Sequence, residues 1–126
     1  MQRSKHCRIV VTDDDPNLLT FLVTALREHG HCVFAAYDAE SACELALAID
    51  ELELMITNTR LGNVSARDLI AAVRREKPDL PILHVGDPLP NSDGLLDDVP
   101  SLAEPFTKEE LLRVVTALLG RQRTQG

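Results

Sequence analysis

Acidic and amide side chains recur at four places in this 126-residue chain where a short apolar run ends. Asp13 and Asp14 follow VVT, Asn58 closes LELMITN, Gly86 and Asp87 follow PILHV, and Glu104 precedes Pro105. Carboxylates set side by side attract a hard cation, which keeps several waters and contacts phosphate oxygens. The amide of Asn58 offers a carbonyl oxygen and N–H donors, but it is a poor nucleophile. The four histidines (His6, His29, His31, His84) fall at no triad or metal-ligand spacing and read as structural or exposed. Ser41, Ser65 and Ser92 have no general base near them in sequence, and there is no glycine-rich phosphate loop. Nothing here resembles an independent enzyme.

The elements that must position these residues alternate between strand-like and helical. Cys7 to Thr12 is a β-branched run suited to a strand buried on both faces. Asp15 and Pro16 supply an N-cap acceptor and a first-turn proline, after which Leu18, Leu19, Leu22, Ala25 and Leu26 keep helical spacing up to Gly30. His31 to Ala36 reads as a second strand, and Asp38 caps a helix carrying Ala42, Leu45, Ala46 and Ile49. Leu52 to Asn58 reads as the third strand, followed by a polar loop. Ser65 and Asp68 resemble a capping box for a helix that ends near Lys77-Pro78. Pro81 to Val85 is the fourth strand and Ser101 to Glu104 a short fifth. Thr107 to Glu110 forms a capping box for a last helix reaching about Leu119 before Gly120. Residues 1–120 then make one domain, with 121–126 a tail or the start of a linker.

Five strands alternating with helices imply an α/β fold, a doubly wound parallel sheet with helices on both faces. Functional groups in such sheets gather at the carboxyl ends of the strands, near the switch in strand order. The four chemistry-bearing places are those ends. The length suits a single core. A net charge of −7 argues against nucleic acid or an anionic membrane as the main partner. Cys7, Cys32 and Cys43 are odd in number and lack metal-type spacing, so they read as small side chains in a reducing compartment. No apolar run approaches a membrane span or a signal region, and the cytoplasm is the default compartment.

VVTDDDPNLL, LMITNTRLG, PILHVG and AEPF stand in the order and spacing of the landmarks of response-regulator receiver domains, and the chain resembles that family over nearly its whole length. The resemblance implies a flavodoxin-like fold and a role in two-component signal transduction. In the family an acidic pair and an aspartate ending the third strand bind Mg²⁺, and that aspartate accepts a phosphoryl group. A hydroxyl residue after the fourth strand and a lysine before a proline hold the phosphoryl oxygens. Here Asp13 and Asp14 keep the acidic pair. Asn58 stands at the acceptor position, Gly86 at the hydroxyl position and Glu104 at the lysine position. Ser101 stands where many relatives carry an aromatic switch residue. Asn58 cannot form an acyl phosphate, Gly86 has no hydroxyl, and Glu104 reverses the charge where an anion is held.

The expectation is therefore an atypical receiver, a pseudoreceiver that acts by protein–protein contact without aspartyl phosphorylation. No cofactor is required, and Mg²⁺ binds weakly at most. A direct Asn58–Glu104 hydrogen bond is expected to replace the lost ion pair, with Glu104 turned into water as the even alternative. The stretch from Gly86 to Glu104, broken by Pro88, Pro90 and Pro100, leaves the fourth helix shortened or irregular, with only Asp93 to Val99 able to make a turn or two. An altered partner surface there would include Ser101; a merely flexible loop is the alternative. Leu112 and Leu119 widen the apolar stripe of the last helix beyond Leu111, Val114, Val115 and Leu118. That width suggests self-association or a partner contact, with ordinary burial the competing reading. Two rival functions stay open: phosphotransfer through Asp87, Asp13 or Asp14, and the sensing of a small ligand.

Overall fold

The computed structural model describes residues 7–91 and 93–124, with side chains through residue 120. His6, Ser92, Gln125 and Gly126, and the side chains of Arg121 and Arg123, lie outside that description.

The strands are β1 (Arg8–Thr12), β2 (Cys32–Ala36), β3 (Leu52–Asn58), β4 (Arg60–Leu61), β5 (Val64–Ser65), β6 (Ile82–Val85) and β7 (Ser101–Leu102). The helices are α1 (Pro16–Glu28), α2 (Ala39–Ala48), α3 (Ala66–Glu76) and α4 (Lys108–Thr124). Five strands form one parallel sheet in the order β2-β1-β3-β6-β7, which confirms the expected doubly wound architecture. The chain starts at β1, steps outward to β2, then crosses back to β3 and continues the other way. The strand order therefore switches between β1 and β3, where the carboxyl ends open a crevice.

Burial explains why these runs became strands. Ile9, Val10, Val11, Leu54, Met55, Ile56, Ile82, Leu83 and Val85 are fully buried, as befits strands covered on both faces. One core packs α1 and α4 against the sheet through Leu22, Leu26, Leu111 and Val115. The other packs α2 and α3 through Ala42, Ala46, Ile70 and Val73.

The caps foreseen from sequence are present. Asp15 accepts from the Asn17 N–H, and Asp38 from Ser41. Thr107 and Glu110 exchange reciprocal hydrogen bonds at the start of α4. Ser65 caps α3 by accepting from the Arg67 N–H, so the expected pairing with Asp68 is only half realised. Lys77, expected only as a terminator of α3, donates to the carbonyls of Ala46 and Ile49 and closes the end of α2.

Four expectations need correction. The loop after β3 is a two-stranded hairpin, β4 against β5, turned by Gly62 at φ +65°. The last helix runs through Gly120 to Thr124, past the expected stop at Gly120. Leu119 is buried in the α1–α4 core and Leu112 packs partly against it, so both side chains contribute to packing. Residues 93–99 form turns and no helix. They are nonetheless anchored: Leu96 is buried, Asn91 bonds Asp97 and the Leu96 N–H, and Arg74 pairs with Asp98 at 3.1 Å. Arg67 pairs with Asp93 in the same segment.

Candidate functional site

The parallel register sets Thr12 beside Thr57 and Asn58 beside Val85, so the ends of β1, β3 and β6 meet at one level. Asp13, the first residue beyond β1, is fully buried there. Its Oδ1 accepts from the Asp15 N–H at 2.9 Å, and its Oδ2 accepts from Nδ2 of Asn58 at 2.9 Å. Asn58 Oδ1 in turn accepts from the Thr59 N–H. These partners orient the amide uniquely, since turning it over would set oxygen against carboxylate. Asp14 is exposed, and its Oδ2 accepts from the Gly62 N–H at 2.7 Å, which ties the β4–β5 hairpin to the acidic turn.

Burial pushes the Asp13 carboxyl above its ordinary 3.8, against the opposing hydrogen bonds from Asn58 and Asp15, while Asp14 and Asp15 nearby push the same way as burial. A neutral donor, the Asn58 amide, thus faces the buried carboxylate where the family's Mg²⁺ would bring positive charge. The fit to such a cation is poor. Both Asp13 oxygens already accept N–H groups, and Asn58 presents its N–H side to the carboxylate, leaving its carbonyl turned back to the chain. Among the described residues, no group of three or more His, Cys, Asp and Glu side chains is arranged to hold a metal.

Gly86 sits against this amide. Its φ is +113°, a region that side-chain-bearing residues rarely adopt, and a Cβ built on it would meet Asn58 Oδ1 at 2.9 Å and Thr59 Oγ1 at 3.1 Å. A glycine therefore belongs here for a backbone reason as well as a steric one. Glu104 is exposed and makes no contact with Asn58, so the expected Asn58–Glu104 hydrogen bond is absent. The amide prefers Asp13, the nearer and more buried carboxylate, and Glu104 turns to water. None of Asp13, Asp14, Asp87 and Glu104 forms an ion pair among the described residues.

Sequence reasoning missed a hydrogen-bonded chain that starts from this site. His84, 1% exposed, faces Thr59 Oγ1 with Nε2 at 2.6 Å and Ser101 Oγ with Nδ1 at 3.0 Å. Thr59 spends its single hydroxyl proton on the Asp87 carbonyl. Nε2 of His84 must then carry a proton and donate to Thr59, leaving Nδ1 to accept from Ser101. Burial lowers the His84 pKa from 6.5, with Asp87 opposing, a direction that favours the neutral ring this pattern needs. The signal available beforehand was position: His84 lies inside a buried strand one pleat before Gly86, where a polar ring demands partners.

No helix among the described residues is long and apolar enough to cross a membrane. No protein-family model matches the chain. The sequence is 30% identical, over 94% of its length, to the transcriptional regulatory protein TcrA of Mycobacterium tuberculosis and to the response regulator MprA of Mycobacterium ulcerans, covering 48% and 52% of those proteins. It thus spans about half the length of the curated relatives it matches. A CheY-like receiver domain from Methanospirillum hungatei superposes with a TM-score of 0.88 at 18% identity, over 97% of this chain and all of the other. The chain thus has the fold of a receiver domain, and in sequence it is similar to response regulators over about half of their length. In this chain Asn58 closes β3, Gly86 follows β6 and Glu104 precedes Pro105.

Proposed function

We propose that this receiver domain works in signal transduction through protein contacts alone, without aspartyl phosphorylation, enzymatic turnover or a required metal. The observation that carries this reading is the Asn58 amide locked between Asp13 and the Thr59 N–H, over a glycine that cannot offer a hydroxyl. A phosphoryl group at this point would meet no nucleophilic carboxylate on β3, no hydroxyl at residue 86 and the negative charge of Glu104. The same lock occupies Asp13, so any Mg²⁺ held by Asp13 and Asp14 is held weakly.

The partner is a signalling protein. It reads the face formed by the anchored 93–99 turns and the edge strand β7, where Ser101 is exposed yet bonded inward to His84. Leu119 lies in the core and Leu112 packs partly against it, which favours packing over self-association through α4.

Intact mass after incubation with a small acyl phosphate and Mg²⁺ tests the reading, with Asn58→Asp in parallel. The parent chain is expected to gain no phosphoryl adduct. Labelling confined to the variant would place the loss at Asn58. A stoichiometric adduct on the parent would refute the proposal and turn attention to Asp87, Asp13 and Asp14.

A further inference from the structure

A cleft of about 480 Å³ opens between α1 and the β7–α4 connection, lined by Leu18, Phe21, Glu104, Pro105 and Phe106. That volume falls in the range of roughly 300–1,000 Å³ typical of small-molecule sites. Four of the five lining residues are apolar. Phe21 is 37% exposed, and its ring lies 6.1 Å from that of Phe106 at a 52° tilt, so aromatic surface borders the opening. Glu104 supplies the one charge. It has no ion-pair partner among the described residues, and the nearest basic residue in sequence, Lys108, is engaged by Glu28 at 3.4 Å.

Charge complementarity selects the occupant. An anion is repelled by Glu104 and by a chain of net charge −7. A neutral apolar molecule fills the walls but gains nothing from the carboxylate. A cation on an apolar stem satisfies both, because aromatic faces and a carboxylate attract ammonium groups together. We propose that this cleft binds a small organic ammonium ion, its charged head at the Glu104 carboxylate and the phenyl faces, its apolar stem between Leu18 and Pro105. Occupancy would bridge α1 to the β7–α4 connection and give the receiver an input that needs no phosphoryl group. The site does not depend on whether the chain is phosphorylated, so failure here and failure of the proposed function are read by separate experiments.

The test is a titration of the full chain with phenethylammonium, followed by amide proton–nitrogen NMR, with phenethyl alcohol as the neutral isostere. Glu104→Gln and Phe21→Ala, both at exposed positions, serve as variants. Saturable shifts at Leu18, Phe21 and Phe106 are expected, with binding weakened about fivefold both for the alcohol and in Glu104→Gln. Phe21→Ala should weaken binding further. Equal affinity for amine and alcohol, unchanged affinity in Glu104→Gln, or shifts centred on the Asp13–Asp15 turn would overturn the assignment. So would the absence of saturable shifts up to the solubility of the probe, or probe-independent shifts that grow with protein concentration, which would mark a second copy of the chain as the occupant.

Discussion

His84 makes the stability of this domain depend on pH in a way that can be worked through in advance. Its ring is neutral in the fold, donating from Nε2 to Thr59 and accepting at Nδ1 from Ser101, and burial holds its pKa below 6.5. In the unfolded chain the same ring takes up a proton as pH falls through 6.5. Below that pH the unfolded state binds more protons, so folding stability rises with pH and is lost as pH falls, until the folded ring is itself protonated. Above 6.5 neither state carries the proton and the effect vanishes. Between pH 7.0 and 5.5 the largest loss from one such group, with the folded ring staying neutral, is about 1.2 kcal/mol.

Asp13 has the opposite sign and acts in the window above 3.8, because its raised pKa makes the folded state the better proton acceptor there. The assay is urea unfolding of the parent and of His84→Asn at both pH values. The other three histidines are common to the two chains and cancel. The parent should lose more than the variant on acidification, by at most about 1.2 kcal/mol. Identical pH dependence in the two chains would refute the argument, as would a parent that gains on the variant at pH 5.5. Imidazole nitrogen NMR supplies an independent check: the Nε2–H tautomer is required, and an Nδ1–H signal would break the chain of donors deduced from Thr59.

Two further substitutions probe the lock around Asn58. Gly86→Thr restores a hydroxyl but forces a β-branched residue to φ +113° with its Cβ 2.9 Å from Asn58 Oδ1; it should cost about 2 kcal/mol of unfolding free energy, and a neutral effect would show that the backbone relaxes freely. Asn58→Asp removes the donor to Asp13 and sets two carboxylates together, a loss of about 2–3 kcal/mol near neutral pH. Millimolar Mg²⁺ should then raise the melting temperature of that variant and leave the parent unmoved. An equal Mg²⁺ response in both chains would show that Asp13 and Asp14 hold the ion whatever stands at residue 58.

Where local chemistry decides, the sequence was readable. The apolar run closed by Asn58 became β3 with the expected bounds, and Asp15, Asp38 and Thr107 cap the helices they precede. Where the outcome depends on which of several partners lies nearest, it was not. Glu104 and Asp13 are both carboxylates that Asn58 could serve, and only the register of β1 on β3 decides for Asp13. The width of the α4 stripe likewise said nothing about how far α1 reaches over it, and Leu119 proved to lie beneath it. His84 was dismissed because triads and metal sites are recognised by spacing, whereas its partners Thr59 and Ser101 stand 25 and 17 residues away on other elements.

The departures at this site also depend on one another. Asn58 can point its amide at Asp13 because its oxygen settles over residue 86, and that placement leaves no room for a Cβ there. A hydroxyl at residue 86 would therefore crowd the amide even before its own strained backbone is counted. Thr59 turns its hydroxyl to the Asp87 carbonyl and is met from below by His84, which in turn holds Ser101 on the edge strand. Exchanging Asn58 alone restores a nucleophile but leaves an unsatisfied like-charge pair; exchanging Gly86 alone strains the turn. That mutual fit is why, on the proposed reading, Asn58→Asp should gain labelling while it loses stability.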